Sequence, residues 1–504
     1  MSKLYVFGIG GTGARVLRSL TMLLAAGVDC GVDTIVPIII DRDISNKDLS
    51  RTKLLIDDYI VVNRCVDVNG TNKFFKTKIS LLGGNLFLQL SDNTQQFDKF
   101  IGRSTMSQEN KALVDMLFSK ETLDLDMIEG FQGNPNIGSV VLNQFDNNDI
   151  FKAFANDFID GDKIFIISSI FGGTGASGFP LLRKILHTPN VQDAKGNSLA
   201  KWGLINKAPI GAISVLPYFI VESPPEGSLV NSDTYIDKTK AALSYYKNED
   251  KKIDTFYYIG DTLTSTYEHH KGGNEQMNNA HFVELAAALA ILDFVNHDTQ
   301  NENFHRDEDN NIIETTYKEF GIKTNLPEFT FDNLTDKTRR LIVNPLSRFM
   351  LFAKYMGYGV VEKDQNGKKK LIVEKINDVF EKEHKYQPYA HKLFTEDFRK
   401  EDFRKIDSIE KLESIQLKFV EWLLEMESQK RKFTPFNLLS KSATDFIKGK
   451  LKIITPDNFM YKNWAKVDNE LNKQIVKTPK SLNNDSRFIE LFYRVTEELI
   501  NYKN

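Results

Sequence analysis

Between Lys163 and Gly178 the chain reads Lys-Ile-Phe-Ile-Ile-Ser-Ser-Ile-Phe-Gly-Gly-Thr-Gly-Ala-Ser-Gly, an apolar run that stops in a glycine-dense turn. Ile164 to Ile170 is rich in β-branched and aromatic residues and too short for an isolated helix, which predicts a buried strand. Phe179 to His187 then spaces its apolar residues at a helical period. Strand, glycine loop and helix in that order form a phosphate cradle. Glycines let several N–H groups approach an anion closely, and the helix N-terminus adds partial positive charge.

A second unit of this kind opens the chain. Leu4 to Phe7 is a short apolar strand, Gly8-Ile-Gly10-Gly11-Thr12-Gly13 spells G-x-G-x-x-G, and Ala14 begins a helix with an apolar stripe. A tight turn without a ligand is the plainer alternative; the strand-to-helix context favours a nucleotide. Thr34 to Ile40 is the next strand and ends at Asp41-Arg42-Asp43. An acid there would bind the ribose of a dinucleotide, which keeps NAD open, and two carboxylates at a strand end equally suit the waters of a magnesium ion.

Gln108 to Phe118 and Asn147 to Gly161 read as amphipathic helices, Pro209 to Pro217 and Thr255 to Ile259 as strands, and Ser232-Asp233-Thr234 as the N-cap of a helix through Tyr246. Asn278 to Val295 is apolar on most faces, as a helix in the middle of a large protein must be. This order predicts an α/β fold, a Rossmann-like and mostly parallel sheet with helices on both faces. A long central helix and a largely helical C-terminal region complete it. The boundaries expected are a nucleotide-binding domain over 1–277, the central helix over 278–296, a polar linker over 297–330 and a mainly helical domain over 331–504. Within the last, Val360 to Val373 reads as a hairpin around Asp364-Gln-Asn-Gly367.

A length of 504 residues with 41% hydrophobic content supplies real cores for two or three domains. Net charge of −3 gives no global basic field, so nucleic acid is not indicated as a partner. Cys30 and Cys65 cannot build a disulfide framework and suit a reducing compartment. No leader pattern opens the chain and no window reaches the roughly 18 apolar residues of a membrane span, so the expected location is the cytoplasm. His269, His270, His297 and His305 stand in polar loops and read as solvated side chains. Ser177 is better explained by phosphate contact than as a nucleophile.

With both glycine loops in place, the chain resembles the tubulin/FtsZ superfamily, especially its divergent bacterial tubulin-like branches. Phe171-Gly172-Gly173-Thr174-Gly175-Ala176-Ser177-Gly178 stands for the signature G-G-G-T-G-[ST]-G, with Phe171 replacing a glycine and one residue added. Gly10, Gly11, Thr12 and Gly13 correspond to the first glycine loop. The resemblance covers about residues 1–300 and implies GTP or GDP as ligand with Mg²⁺ held near Asp41 and Asp43. It further implies ribose contacts from Asp233 and Asp237, a guanine edge read by Asp261, and a second base contact from Asn278 or Asn279. A carboxylate suits guanine, whose N1–H and N2–H donors two oxygens accept together. Gly102-Arg103-Ser104 is the counterpart for the terminal-phosphate loop, with Arg103 in place of glycine contacts.

The family further implies head-to-tail self-association, with hydrolysis completed by an acid from the next subunit. No N-x-D-x-x-D motif follows the central helix here; Asn296-x-Asp298 lies early and Asp307 late. The catalytic group is therefore unassigned and nucleotide binding is the firmer expectation than turnover. The alternative is a switch or scaffold that binds without hydrolysing and recruits a partner through its C-terminal half, and an NAD-dependent enzyme is a third reading.

Overall fold

The computed structural model describes residues 2–67, 69–88, 96–128, 130–143, 148–192, 195–222, 234–248, 252–262, 265–268, 270, 272–296, 304–320, 326–358, 361–372, 388–393, 408–449 and 463–502. Its first half includes, in chain order, β1 (Lys3–Ile9), α1 (Gly10–Ala25), β2 (Thr34–Ile40), α2 (Lys47–Cys65), β3 (Lys78–Ile79), then peripheral helices, among them Gln108–Leu117, then α3 (Pro135–Val141), α4 (Asp149–Asp157), β4 (Lys163–Ser169) and α5 (Gly173–Leu186). It continues with β5 (Ile210–Val215), α6 (Tyr235–Asn248), β6 (Thr255–Ile259), α7 (Phe282–Val295) and β7 (Thr316–Phe320). The strands make one seven-stranded sheet in the order β7-β6-β5-β4-β1-β2-β3. Every pairing in it is parallel.

Strands buried on both faces must be apolar along their whole length, which is why β1, β2, β4 and β5 read as continuous hydrophobic runs. α4 covers one face, with Phe154 and Phe158 on the Tyr5 ring at 4.9 and 5.3 Å. On the other face α7 lies against the sheet through Phe294 and Phe165, 5.5 Å apart. Its far end reaches Phe329 and Phe433 through Phe282 at 4.5 and 5.8 Å. Covered by the sheet and by the C-terminal region together, α7 buries every residue except Asp293, and that explains its lack of a polar face.

The long C-terminal helices are α8 (Asp336–Tyr355), α9 (Ile409–Ser428), α10 (Trp464–Lys477) and α11 (Asn484–Leu499), with a short one at Pro388–Leu393. Val361–Lys363 and Lys369–Leu371 pair antiparallel as the expected hairpin. Two expectations about organisation differ from the structure. The segment read as a polar linker supplies β7, which pairs with β6 from Thr316 opposite Thr255 to Phe320 opposite Ile259. β7 alternates half-buried and exposed side chains from Thr316 to Glu319, a pattern an edge strand tolerates and a composition count misses. Nor does the core break at residue 296. Phe352 stacks on Phe74 at 5.9 Å and on Phe492 at 4.3 Å, and Trp422 donates its indole N–H to Ser19 of α1. Among the described residues no helix is long and apolar enough to cross a membrane.

Candidate nucleotide cleft

β1 lies between β4 and β2, so the chain leaves β1 toward one edge of the sheet and later returns to build the other. That is a topological switch point, where an open parallel sheet leaves a crevice beyond the carboxyl ends of its strands. The two glycine loops follow the two strands that flank it, β1 and β4. Gly10 takes φ of +75°, and a Cβ there would stand 3.6 Å from Thr174 Cβ and 3.7 Å from Gly175 N, so the two loops abut. α1 and α5 both begin in these loops, and neither N-cap, Ile9 nor Gly172, offers a side-chain acceptor to the first turn. Two helix N-termini thus point uncapped N–H groups into one cleft of about 170 Å³.

A third loop closes the cleft. Gly130, Gln132 and Gly133 have φ of +81°, +44° and +75°, the left-handed turns that make a concave N–H nest for anions. It presses on the second glycine loop so closely that a Cβ on Gly173 would meet Asn134 N at 3.0 Å and Gly133 N at 3.2 Å. Lys238, in the first turns of α6, donates to Gly133 O at 3.1 Å, and burial lowers its ammonium pKa. A phosphate beside it would reverse that shift.

Asp41 and Asp43 also line the cleft, both buried, and a Cβ on Gly130 would stand 3.8 Å from Asp43 Cβ. Burial, with the Asp43 charge adding to it, pushes the Asp41 carboxyl up to about 7. Asp43 accepts from Ser45 Oγ and Gly273 N, each at 2.7 Å, and Asp41 Oδ1 accepts from Asp43 N at 3.1 Å. Aromatic rings form the remaining side. Phe171, the residue that stands where a glycine was expected, is buried against Phe219 at 5.5 Å and Tyr235 at 4.9 Å, and all three line the cleft.

Behind the loops, Arg15 binds Glu284 at 2.6 Å, Asp48 at 2.9 Å and Tyr218 Oη at 2.9 Å. Burial opposes its charge, but Tyr218, Glu284 and Asp48 hold the guanidinium pKa well above its usual value. Asp48 in turn accepts from Asn278 N at 3.2 Å, and Asn46 links to Gln276 at 3.0 Å, which brings Gln276 and Asn278 into the wall. Glu284 accepts from His281 N, so the start of α7 is tied to the same cluster.

Of the residues expected from sequence, Gly10, Gly11, Thr12, Gly172, Gly173, Thr174, Gly175, Asp41 and Asp43 meet around this cleft. Gly13 packs behind it, where its Cβ would strike Gly8 C at 2.4 Å. Ala176 is not among the lining residues, and Ser177 turns back to donate to Gly173 O at 2.7 Å against Gly138 of α3. Asp261 is instead buried in a 2.8 Å pair with Arg431, because the segment just after α9 brings that cation to the end of β6. Asn279 is exposed and faces Ser428 at 3.5 Å; its neighbour Asn278 is the one in the wall. Arg103 is held on the surface by both oxygens of Asp115, at 2.8 and 2.9 Å, and does not line the cleft, whereas Gly130, Gln132 and Gly133 do. Asp237 is exposed beside Lys240, while Lys238 turns inward. His270 lines the cleft, and Asp233, His269, His297 and Asp298 lie outside the described residues. The missed loop carried a legible signal, Gly130-Phe-Gln-Gly133 before Asn134-Pro135, with Asn134 capping α3 and Pro at its first turn. No strand announces it, so nothing marked it as the partner of the other two loops.

No family model matches the chain, and no curated protein matches it. Among solved structures it is similar to CetZ2 from Haloferax volcanii, a GTPγS-bound protofilament, at 16% identity and a TM-score of 0.28, over 60% of this chain and 61% of that one. CetZ1 from Haloferax volcanii, a GDP-bound monomer, is similar at 16% identity and 0.27, over 59% and 62%. CetZ from Methanosaeta thermophila follows at 14% and 0.23, over 58% and 51%. The chain spans about three fifths of the length of the first two and half of the third. Scores this low carry no statement about what this chain binds.

Proposed function

We propose that the chain is a tubulin-like GTP-binding protein whose nucleotide phosphates lie between the two glycine loops and the 130–133 nest. The observation that carries the reading is the meeting of two uncapped helix N-termini with that nest at the switch point of a parallel sheet. Lys238 supplies the cation for the terminal phosphate, and the Phe171, Phe219 and Tyr235 rings supply an apolar face for the base. Asn278, and not Asp261, is the amide within reach of a base edge or ribose.

Two buried carboxylates with free waters and phosphate oxygens are the donor set magnesium favours. Asp41 fits that role because a cation would stabilise the carboxylate that burial now disfavours. Bound there, the ion would neutralise phosphate charge; Asp41 and Asp43 hold it, and the glycine loops hold and orient the phosphates.

Denaturing the purified protein and identifying the released nucleotide by chromatography tests the ligand. Guanine nucleotide is expected, rebinding with magnesium and lost in Gly173→Val; recovery of NAD would overturn the assignment. Head-to-tail self-association belongs to the same reading, and light scattering that stays flat as GTP-loaded protein is concentrated would remove it. Binding without turnover is favoured by one observation. Asp48 and Glu284, two buried carboxylates beside the cleft, are both committed to Arg15, which leaves water activation to a second copy. Steady phosphate release from isolated monomers, abolished by Gly173→Val, would count against it.

A further inference from the structure

Most of the wall at Gln276 to Ala280 is held by groups of the α/β unit, but one of its anchors comes from far along the chain. Glu425, near the C-terminal end of α9, is buried, and its Oε2 accepts from the backbone N–H of Ala280 at 2.7 Å and from Arg18 Nη1 at 2.8 Å. Its Oε1 takes Arg51 of α2. Arg51 Nη1 is buried without a hydrogen-bond partner and faces Asp48 Oδ1 at 4.0 Å, and Asp48 is the carboxylate that holds Asn278 N–H and Arg15. The same end of α9 adds a contact from Gln429 to Ala280 O at 3.0 Å, and Asn279 reaches Ser428. Successive residues 278, 279 and 280 are thus gripped from two directions, by α2 and by α9.

We propose that Glu425 is a positioning residue of the nucleotide cleft: by holding Ala280 N–H while pairing with Arg18 and Arg51, it fixes Asn278 in the cleft wall and makes nucleotide binding and the seating of α9 one equilibrium. The inference rests on the nucleotide reading above. A buried carboxylate that serves two guanidinium groups and a backbone donor has no spare acceptor; a shift of Asn278 toward a bound nucleotide is therefore felt at Glu425. Linkage makes the effect reciprocal. The helical C-terminal region consequently reports whether the cleft is filled, through a contact made of charge and not of shape.

Hydrogen exchange of the full-length protein, with and without saturating GTP and magnesium, tests this. Nucleotide is expected to slow exchange in the segments covering 276–282 and 418–428 together. Glu425→Gln keeps the side-chain size and an acceptor for Ala280 but removes the charge; it should weaken GTP binding by about tenfold and abolish the response of α9. Glu425→Asp should restore part of the response, while urea unfolding separates loss of coupling from loss of fold. GTP binding with unchanged exchange in 418–428 of the unmodified protein would overturn the proposal even if every variant failed to fold. So would a Glu425→Gln protein whose α9 still responds. No nucleotide binding at all would overturn the reading of the cleft itself, and this inference with it.

Discussion

Arg15 and Arg18 stand one turn apart on α1, both buried, and they hold the molecule together in different ways. Arg15 sits in a closed set: Glu284, Asp48, Tyr218 and Thr12 are all its partners and all belong to the α/β unit. Arg18 sits in an open one, sharing Glu425 with Arg51 and reaching only the half-exposed Glu421 besides, at 3.9 Å. The closed set fixes the floor of the cleft; the open set joins that floor to a helix more than 400 residues away in sequence. What separates them is redundancy. Removing Arg15 leaves Glu284 with no cation and Asp48 with only the 4.0 Å approach of Arg51, whereas removing Arg18 leaves Glu425 with a close cation and a backbone donor.

The largest effect expected is therefore from Arg15→Met, which leaves Glu284 buried without a cation and Asp48 with only the distant Arg51, and should cost about 3–5 kcal/mol in urea unfolding. Adding Glu284→Gln to that variant should recover part of the loss, since one of the stranded charges is removed. A cost below about 1 kcal/mol would mean that the cluster is wetter than its burial indicates. Arg18→Met should cost less, about 1–2 kcal/mol, because Glu425 keeps Arg51 and Ala280 N–H. Combined with Arg15→Met, the two losses should depart from additivity by roughly 0.5–1 kcal/mol, carried by the 4.0 Å approach of Arg51 to Asp48. Strict additivity would separate the two clusters completely.

Asp41 extends the comparison to a buried acid that has no cation. Its pKa is raised from 3.8 to about 7 by burial and by Asp43, so the folded chain keeps a proton that the unfolded chain releases. The contribution is full below about pH 4, shrinks as pH rises toward 7, and is gone above it. Between those limits stability should fall with pH by up to about 1.4 kcal/mol per unit, and Asp41→Asn should lose that slope. Comparing urea midpoints of both proteins at pH 5 and pH 7 measures it. Equal slopes would place the ionised Asp41 in contact with a cation or water already.

The same contrast explains how much was legible in the sequence. Thr34 to Ile40 and Thr255 to Ile259 are strands with the expected bounds, and the two glycine loops announce themselves because each follows such a run. The topology follows from those runs, since short right-handed crossovers leave few arrangements. Pairings at long range are another matter. Glu425 and Trp422 of α9 are buried against α1, whose Arg18 lies in an apolar stripe, and nothing in the local pattern of either helix announces the pairing. Asp261 has the position of a base-reading residue in chain order, but only the fold brings Arg431 to it. Order along the chain says which residues end a strand; it does not say which cation arrives there first.

The smallest effect is expected at the other extreme of burial. Arg103 makes three hydrogen bonds to Asp115, at 2.8, 2.9 and 3.1 Å, but both side chains are about a third to a half exposed. Water solvates each ion well without the other, and the helix that carries Asp115, Gln108–Leu117, buries none of its residues. Arg103→Ala should thus change stability by less than about 1 kcal/mol, and the change should vanish in high salt, where exposed pairs are screened. Because Arg103 does not line the cleft, nucleotide affinity should stay within about twofold of the unmodified protein, a difference of roughly 0.4 kcal/mol. A tenfold loss of GTP affinity in Arg103→Ala would mean that the 97–118 segment folds over the phosphates when nucleotide binds, and would move the terminal-phosphate contact from Lys238 to Arg103.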